Sequence, residues 1–222
     1  MGTDNLHHKN KAKKERDLLR TKKQRKGFDK ILIVTEGEKT EPHYLKELRR
    51  EFRIRNVDVE IDGNCGSSPK SILEHAEKKY FEASKTQDPF DRVYCVFDKD
   101  THETYQSTID KISRKRPKNT YFAITSVPCF EVWLLLHFEY YSKPFASSGD
   151  KSAAKMVVNE LKRFISDYEK NAKGIFQRLY NRLDKAKSNA KRLTESNIEQ
   201  EVDNPSTTTQ DLIEYLESQR RN

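Results

Sequence analysis

Three acidic residues stand where short apolar runs stop. Glu36 directly follows Ile31-Leu32-Ile33-Val34-Thr35, and Asp98 and Asp100 follow Val93-Tyr94-Cys95-Val96-Phe97. Runs this apolar read as strands buried on both faces. In an open parallel sheet, functional groups gather beyond the carboxyl ends of the strands, where the chain emerges into a crevice. Residues two apart in an extended segment point to the same side, so Asp98 and Asp100 can face one ion. Three or four carboxylate oxygens with room for water suit Mg2+ or Mn2+, which keep part of their hydration and accept phosphate oxygens. Asp and Gly are also common in the turns that end strands, so the pattern alone leaves a structural role open.

Two further polar residues, Glu131 and His137, lie in the most apolar stretch of the chain, residues 130–138. Polar groups there need partners, and at six residues apart the two do not share a helical face. Glu131, at the helix start, can reach the crevice as a catalytic acid or base, whereas His137 reads more simply as a core histidine. His102, two residues after Asp100, can touch a substrate phosphate or cap a turn. The loop at residues 62–68, rich in Gly and Ser, could cradle a phosphate through backbone N–H groups. It lacks a Gly-Lys-Ser/Thr ending, so nucleotide hydrolysis is not expected and an ordinary loop is the better reading.

The elements that must position these groups alternate. Strands are expected at 31–34, 57–61, 93–97 and 121–124. Helices are expected from Thr40 (Tyr44, Leu45, Leu48 and Phe52 on one face), from Pro69, and over 103–116. This predicts an α/β fold with a mostly parallel four-stranded sheet flanked by helices over residues 30–140. Beyond Tyr141 the pattern predicts a helical C-terminal region packing on that sheet, residues 141–222, with helices at 151–170, 175–195 and 207–219. Asp211, three residues after Thr208, stands in capping-box position.

The chain has 222 residues, enough to bury roughly 70% of its unfolded surface without disulfides. Apolar residues make up 34% and charged residues 35%, against typical values of ~45–50% and ~25%. Residues 1–30 hold eleven Lys/Arg and four Asp/Glu, so nearly all of the +8 net charge sits there and the remainder is balanced. Residues 1–29 therefore read as a flexible basic tail, with Lys13, Lys14, Lys22, Lys23, Arg25 and Lys26 as candidate contacts to a polyanion such as nucleic acid. No window approaches 18 uninterrupted apolar residues, so no membrane partner is expected, and no signal peptide is read at the N-terminus. Three widely spaced cysteines, Cys65, Cys95 and Cys129, fit free thiols in a reducing cytoplasm.

The run from Ile31 to Gly37, followed by Phe97-Asp98-Lys99-Asp100, resembles a Toprim domain, the divalent-metal fold shared by topoisomerases, primases and OLD-family nucleases. More closely, Glu36-Gly37-Glu38-Lys39-Thr40-Glu41, Phe97-Asp98-Lys99-Asp100-Thr101-His102, the stretch from Pro128 to Phe138, and Asn204-Pro205-Ser206-Thr207 resemble the RloB family, also known as AbiLii-like abortive-infection proteins. The resemblance implies Glu36 as a metal ligand and acid–base group, with Asp98 and Asp100 as ligands. It also implies Glu41 in roughly the place of a second acid, one residue off the usual spacing, where favour from the helix dipole explains it equally well.

The leading expectation is an antiphage or abortive-infection protein acting as a Mg2+-dependent nuclease on RNA or DNA, with Lys99 and His102 beside the acids to contact the phosphate. The alternative is a non-catalytic nucleic-acid-binding or sensor subunit working with an ATPase partner, which the resemblance implies. A phosphatase using Asp98 as nucleophile fits less well, because Glu36-Gly37 would go unexplained. Homo-oligomer formation is left open, and Tyr140 and Tyr141 are candidate stacking platforms for single-stranded bases.

Overall fold

Ile31–Thr35 forms β1 with all five residues buried, as an unbroken β-branched and leucine run requires. The computed structural model describes residues 29–37, 39–54, 60–62, 68–86, 88–99 and 103–220. The expectations for Lys13, Lys14, Lys22, Lys23, Arg25, Lys26, Asp100, His102 and Cys65 lie outside these residues, as does most of the loop at 62–68.

After β1, Thr40–Glu51 forms α1, Glu60–Asp62 forms β2 and Pro69–Lys85 forms α2. The N-terminus of α2 is closed by a reciprocal capping box, in which the Ser68 hydroxyl accepts from the Ser71 N–H and Ser71 answers the Ser68 backbone. Arg92–Asp98 (β3), Tyr105–Ser113 (α3) and Tyr121–Val127 (β4) follow. Among the described residues the sheet runs β2-β1-β3-β4, all parallel, as the alternation of strands and helices predicts. To these it adds a two-residue antiparallel edge strand, β5 (Ser206–Thr207).

The two faces of β1 enter different cores. Ile31 and Ile33 pack with Tyr44, Leu45 and Leu48 of α1 and with the C-terminal helices, while Leu32 and Val34 pack with Ile72 and Leu73 of α2 and Ile112 of α3. The first core holds Trp133, Leu134 and Leu135 of α4 (Glu131–Leu135). It also takes in residues of α5 (Ala153–Leu161), α6 (Ile175–Leu179), α7 (Leu183–Gln200) and α8 (Thr209–Ser218).

Three details differ from expectation. The helix expected over 151–170 ends at Leu161, and residues 162–174 run as turns, because Ile165 and Tyr168 swing inward and become buried instead of continuing a solvated helix face. The helix expected over 175–195 is α6, a 3-10 turn at Tyr180–Arg182, and then α7. At α8 the capping box does not form: the Thr208 hydroxyl accepts from the N–H of Thr125 at 2.9 Å, so tertiary pairing with β4 takes the side chain that local chemistry assigned to the helix end.

Candidate active site

The chain leaves β1 to form β2 on one side, then returns to form β3 on the other. The carboxyl ends of β1 and β3 therefore flank the topological switch point, where open α/β sheets leave a crevice. Glu36 follows β1 and Asp98 closes β3. The Glu36 N–H donates to the Val96 carbonyl at 3.0 Å, and the Asp98 N–H donates to Glu36 Oε2 at 3.0 Å. The sheet register thus holds the Glu36 carboxylate beside the end of the neighbouring strand.

Gly37 has a packing role. A Cβ there would lie 2.6 Å from Oε2 of Glu41, so glycine lets the first-turn acid of α1 close against the backbone after β1. Glu131 opens α4 just beyond β4 and is 2% exposed. The Tyr168 hydroxyl donates to its Oε1 at 3.0 Å, and the Lys170 ammonium stands 3.8 Å from the same oxygen. Glu36, Glu41, Asp98 and Glu131 line one crevice of about 430 Å³, together with Lys39, Thr40, Cys129, Lys170 and Asn171.

Burial and mutual repulsion shape this cluster. Desolvation, with the charges of Glu131 and Glu36, pushes the Glu41 carboxyl up from 4.5 to about 7. Asp98 is raised well above the ordinary carboxylate value, first by burial and then by Glu41, Glu131 and Glu36, against the opposing N–H of Phe130. The Cys129 thiol in the crevice wall is likewise pushed up by burial, then by Glu131 and Asp98, so it is not an activated nucleophile. Among the described residues no three His, Cys, Asp or Glu side chains stand close enough to hold one ion together. The donor chemistry nonetheless suits Mg2+ or Mn2+: the facing groups are hard carboxylate oxygens, and the upward shifts of Glu41 and Asp98 reflect how poorly the crevice tolerates its own negative charge.

Of the residues expected at the site, Glu36, Glu41, Asp98 and Glu131 come together. Lys99 does not line the crevice; its ammonium pairs with Asp203, because Lys99 follows the end of β3 on the side facing the loop before β5. His137 lies in the core, with Nδ1 2.9 Å from the Trp133 carbonyl and Nε2 3.3 Å from the Tyr44 hydroxyl. Tyr140 has Arg192 over its ring at 4.0 Å, and Tyr141 stacks on Phe145 at 4.7 Å, so one face of each ring is already engaged. Sequence reasoning missed Tyr168, Lys170 and Asn171. Tyr168 and Lys170 fall in the helix expected over 151–170 and Asn171 just beyond it, and no local signal marks their reach to the crevice.

Among the described residues no helix is long and apolar enough to cross a membrane. No curated protein and no solved structure matches the chain significantly. Residues 31–216, which hold β1, β3, α4 and every described acid of the crevice, match the family described as RloB-like protein. The chain belongs to the RloB-like family.

Proposed function

We propose that this protein is a divalent-metal-dependent nuclease that hydrolyses phosphodiester bonds of nucleic acid in a defence setting. Family membership suggests the defence role. The observation that carries the chemistry is the convergence of Glu36, Glu41, Asp98 and Glu131 on one crevice at the carboxyl ends of β1 and β3.

Glu36 and Asp98, with Asp100 two residues further along, are the residues that would hold Mg2+ or Mn2+. When bound, the metal lowers the pKa of a water and neutralises charge on the phosphodiester. The protein's own contribution begins with Glu36, whose carboxylate is oriented by the Asp98 N–H. Glu41, titrating near neutrality, can accept a proton from the attacking water or donate one to the leaving oxygen. Glu131, fixed by Tyr168, is the second carboxylate within that crevice suited to proton transfer. The Lys/Arg-rich stretch at residues 1–30 supplies sequence-independent attraction for the polyanion. An ATPase partner would fit this setting.

The test is incubation with total RNA and with plasmid DNA in Mg2+, Mn2+ or EDTA, comparing the natural chain with Glu36→Ala and Asp98→Ala. Cleavage is expected only with metal and only in the unmutated chain. Cleavage that survives EDTA or either substitution overturns the nuclease reading. Metal-independent binding without cleavage would favour a non-catalytic sensor instead.

A further inference from the structure

Residues 162–174, between α5 and α6, have little regular structure of their own, yet they are fastened to the crevice at several points. The Thr40 hydroxyl donates to the Lys170 carbonyl. Glu47 of α1, itself buried, accepts from the N–H of Gly174 at 2.6 Å and of Phe176 at 3.1 Å. The same carboxylate thereby closes the start of α6 from a distance, because its N-cap, Gly174, has no side chain to do so. The Tyr168 hydroxyl is anchored on Glu131. Helix α1 therefore carries an acid of the crevice, Glu41, and also both residues, Thr40 and Glu47, that clamp the loop across it.

This clamped loop delivers one cation. The Lys170 side chain is 57% exposed, but its ammonium lies 3.8 Å from Glu131 Oε1 and faces the carboxylate cluster. Partial burial works against its charge, yet Glu131, Asp98 and Glu41 together raise its pKa above the ordinary lysine value. Lys39 also lines the crevice but is exposed at its rim.

We propose that Lys170 is a built-in counter-ion of the crevice, whose ammonium competes with a divalent cation for the carboxylates and so sets the metal affinity. This rests on the reading that the crevice takes such a cation. The anchored backbone keeps the lysine within reach, while the exposed, flexible side chain lets the ammonium withdraw when metal enters. Of this pair only Glu131 is buried, so the lysine side chain has solvent into which it can withdraw.

The experiment is Mn2+ titration of the full chain by calorimetry, using the natural protein, Lys170→Met, Lys170→Gln, Lys170→Arg, Lys39→Met and, as a site control, Glu36→Ala. Removing one positive charge a few ångströms from the site should tighten Mn2+ binding roughly three- to tenfold at about 0.1 M salt, with the gap narrowing at about 1 M. Lys170→Arg should stay near the natural affinity, and Lys39→Met should change it by less than about twofold. The Met and Gln variants read the same charge loss independently, so poor folding of one leaves the other decisive. Equal or weaker binding in both, or an equal gain in Lys39→Met, overturns the counter-ion role while leaving the metal site intact. Absence of Mn2+ binding in every variant overturns both that role and the metal-dependent reading.

Discussion

Glu131 and His137 stand at the two ends of one apolar stretch, both buried, and the chain treats them in opposite ways. His137 is answered wholly by the core. The Trp133 indole N–H donates to the Tyr44 hydroxyl at 2.9 Å; that hydroxyl then meets His137 Nε2, and Nδ1 meets the Trp133 carbonyl. The tautomer that satisfies all three contacts carries its proton on Nδ1, so the ring stays neutral. Glu131 is answered instead by Tyr168 and Lys170, which reach it from a loop, and its charge faces Glu41 and Asp98. A closed buried polar network fixes packing. A buried carboxylate left facing like charges is a site that stores electrostatic cost for chemistry or for an ion.

The largest expected difference separates activity from stability. Glu131→Gln keeps an acceptor for Tyr168 but loses the charge and the base. It should lower the proposed metal-dependent cleavage by about a hundredfold or more with little change in melting temperature. His137→Ala should do the reverse, costing about 2–4 kcal/mol in denaturant unfolding through cavity formation and lost hydrogen bonds, with cleavage per folded molecule preserved. Cleavage lost in folded His137→Ala, or an unfolded Glu131→Gln, would break the contrast.

A smaller effect follows from pH. Glu41, raised from 4.5 to about 7, and Asp98, raised in the same direction, favour their protonated forms in the fold. The stability Glu41 lends is full below about pH 4.5 and is lost as pH rises through about 7, while that of Asp98 is full below the ordinary aspartate value and is lost as pH rises. Burial lowers His137 from 6.5 to about 4, so the stability it lends is present above about pH 6.5 and is lost as pH falls through about 4. The two trends oppose each other between about pH 4.5 and 6.5, so the melting temperature of the metal-free protein should fall on the neutral side, above about pH 6.5, where the carboxyls act alone. Glu41→Gln should flatten the neutral side alone, and Mn2+ should lift that side alone. A neutral-side decline unchanged by Glu41→Gln would show that the crevice is not its source.

The smallest expected effect lies outside both regions. Asp203→Asn removes the partner of Lys99 at an exposed pair and should change stability by no more than about 0.5 kcal/mol in denaturant titration. A larger loss would mean that the segment before β5 depends on this pair.

The strand ends were legible because a buried parallel strand must be continuously apolar, so the first acid after it marks where the chain reaches water. Glu36 and Asp98 were readable in this way, and the placement of Glu131 and His137 followed from their positions in an apolar stretch. The end of the helix after Ala153 was not legible. Residues 162–170 have a composition that suits a solvated helix, and their turns form only because Tyr168 gains Glu131 and the Lys170 carbonyl gains Thr40. The failed capping box has the same origin, since Thr208 is worth more to β4 than to its own helix.

The amino-acid sequence by itself determined the alternation of strands and helices, the parallel sheet and the acids at its carboxyl edge, because periodicity and burial are local properties of the chain. Only the tertiary structure decided which acids meet, that Glu41 closes over Gly37, and that Lys170 arrives from a distant loop to face them. Those contacts depend on the strand order around β1 and on pairings between residues far apart in the chain, which no local pattern encodes.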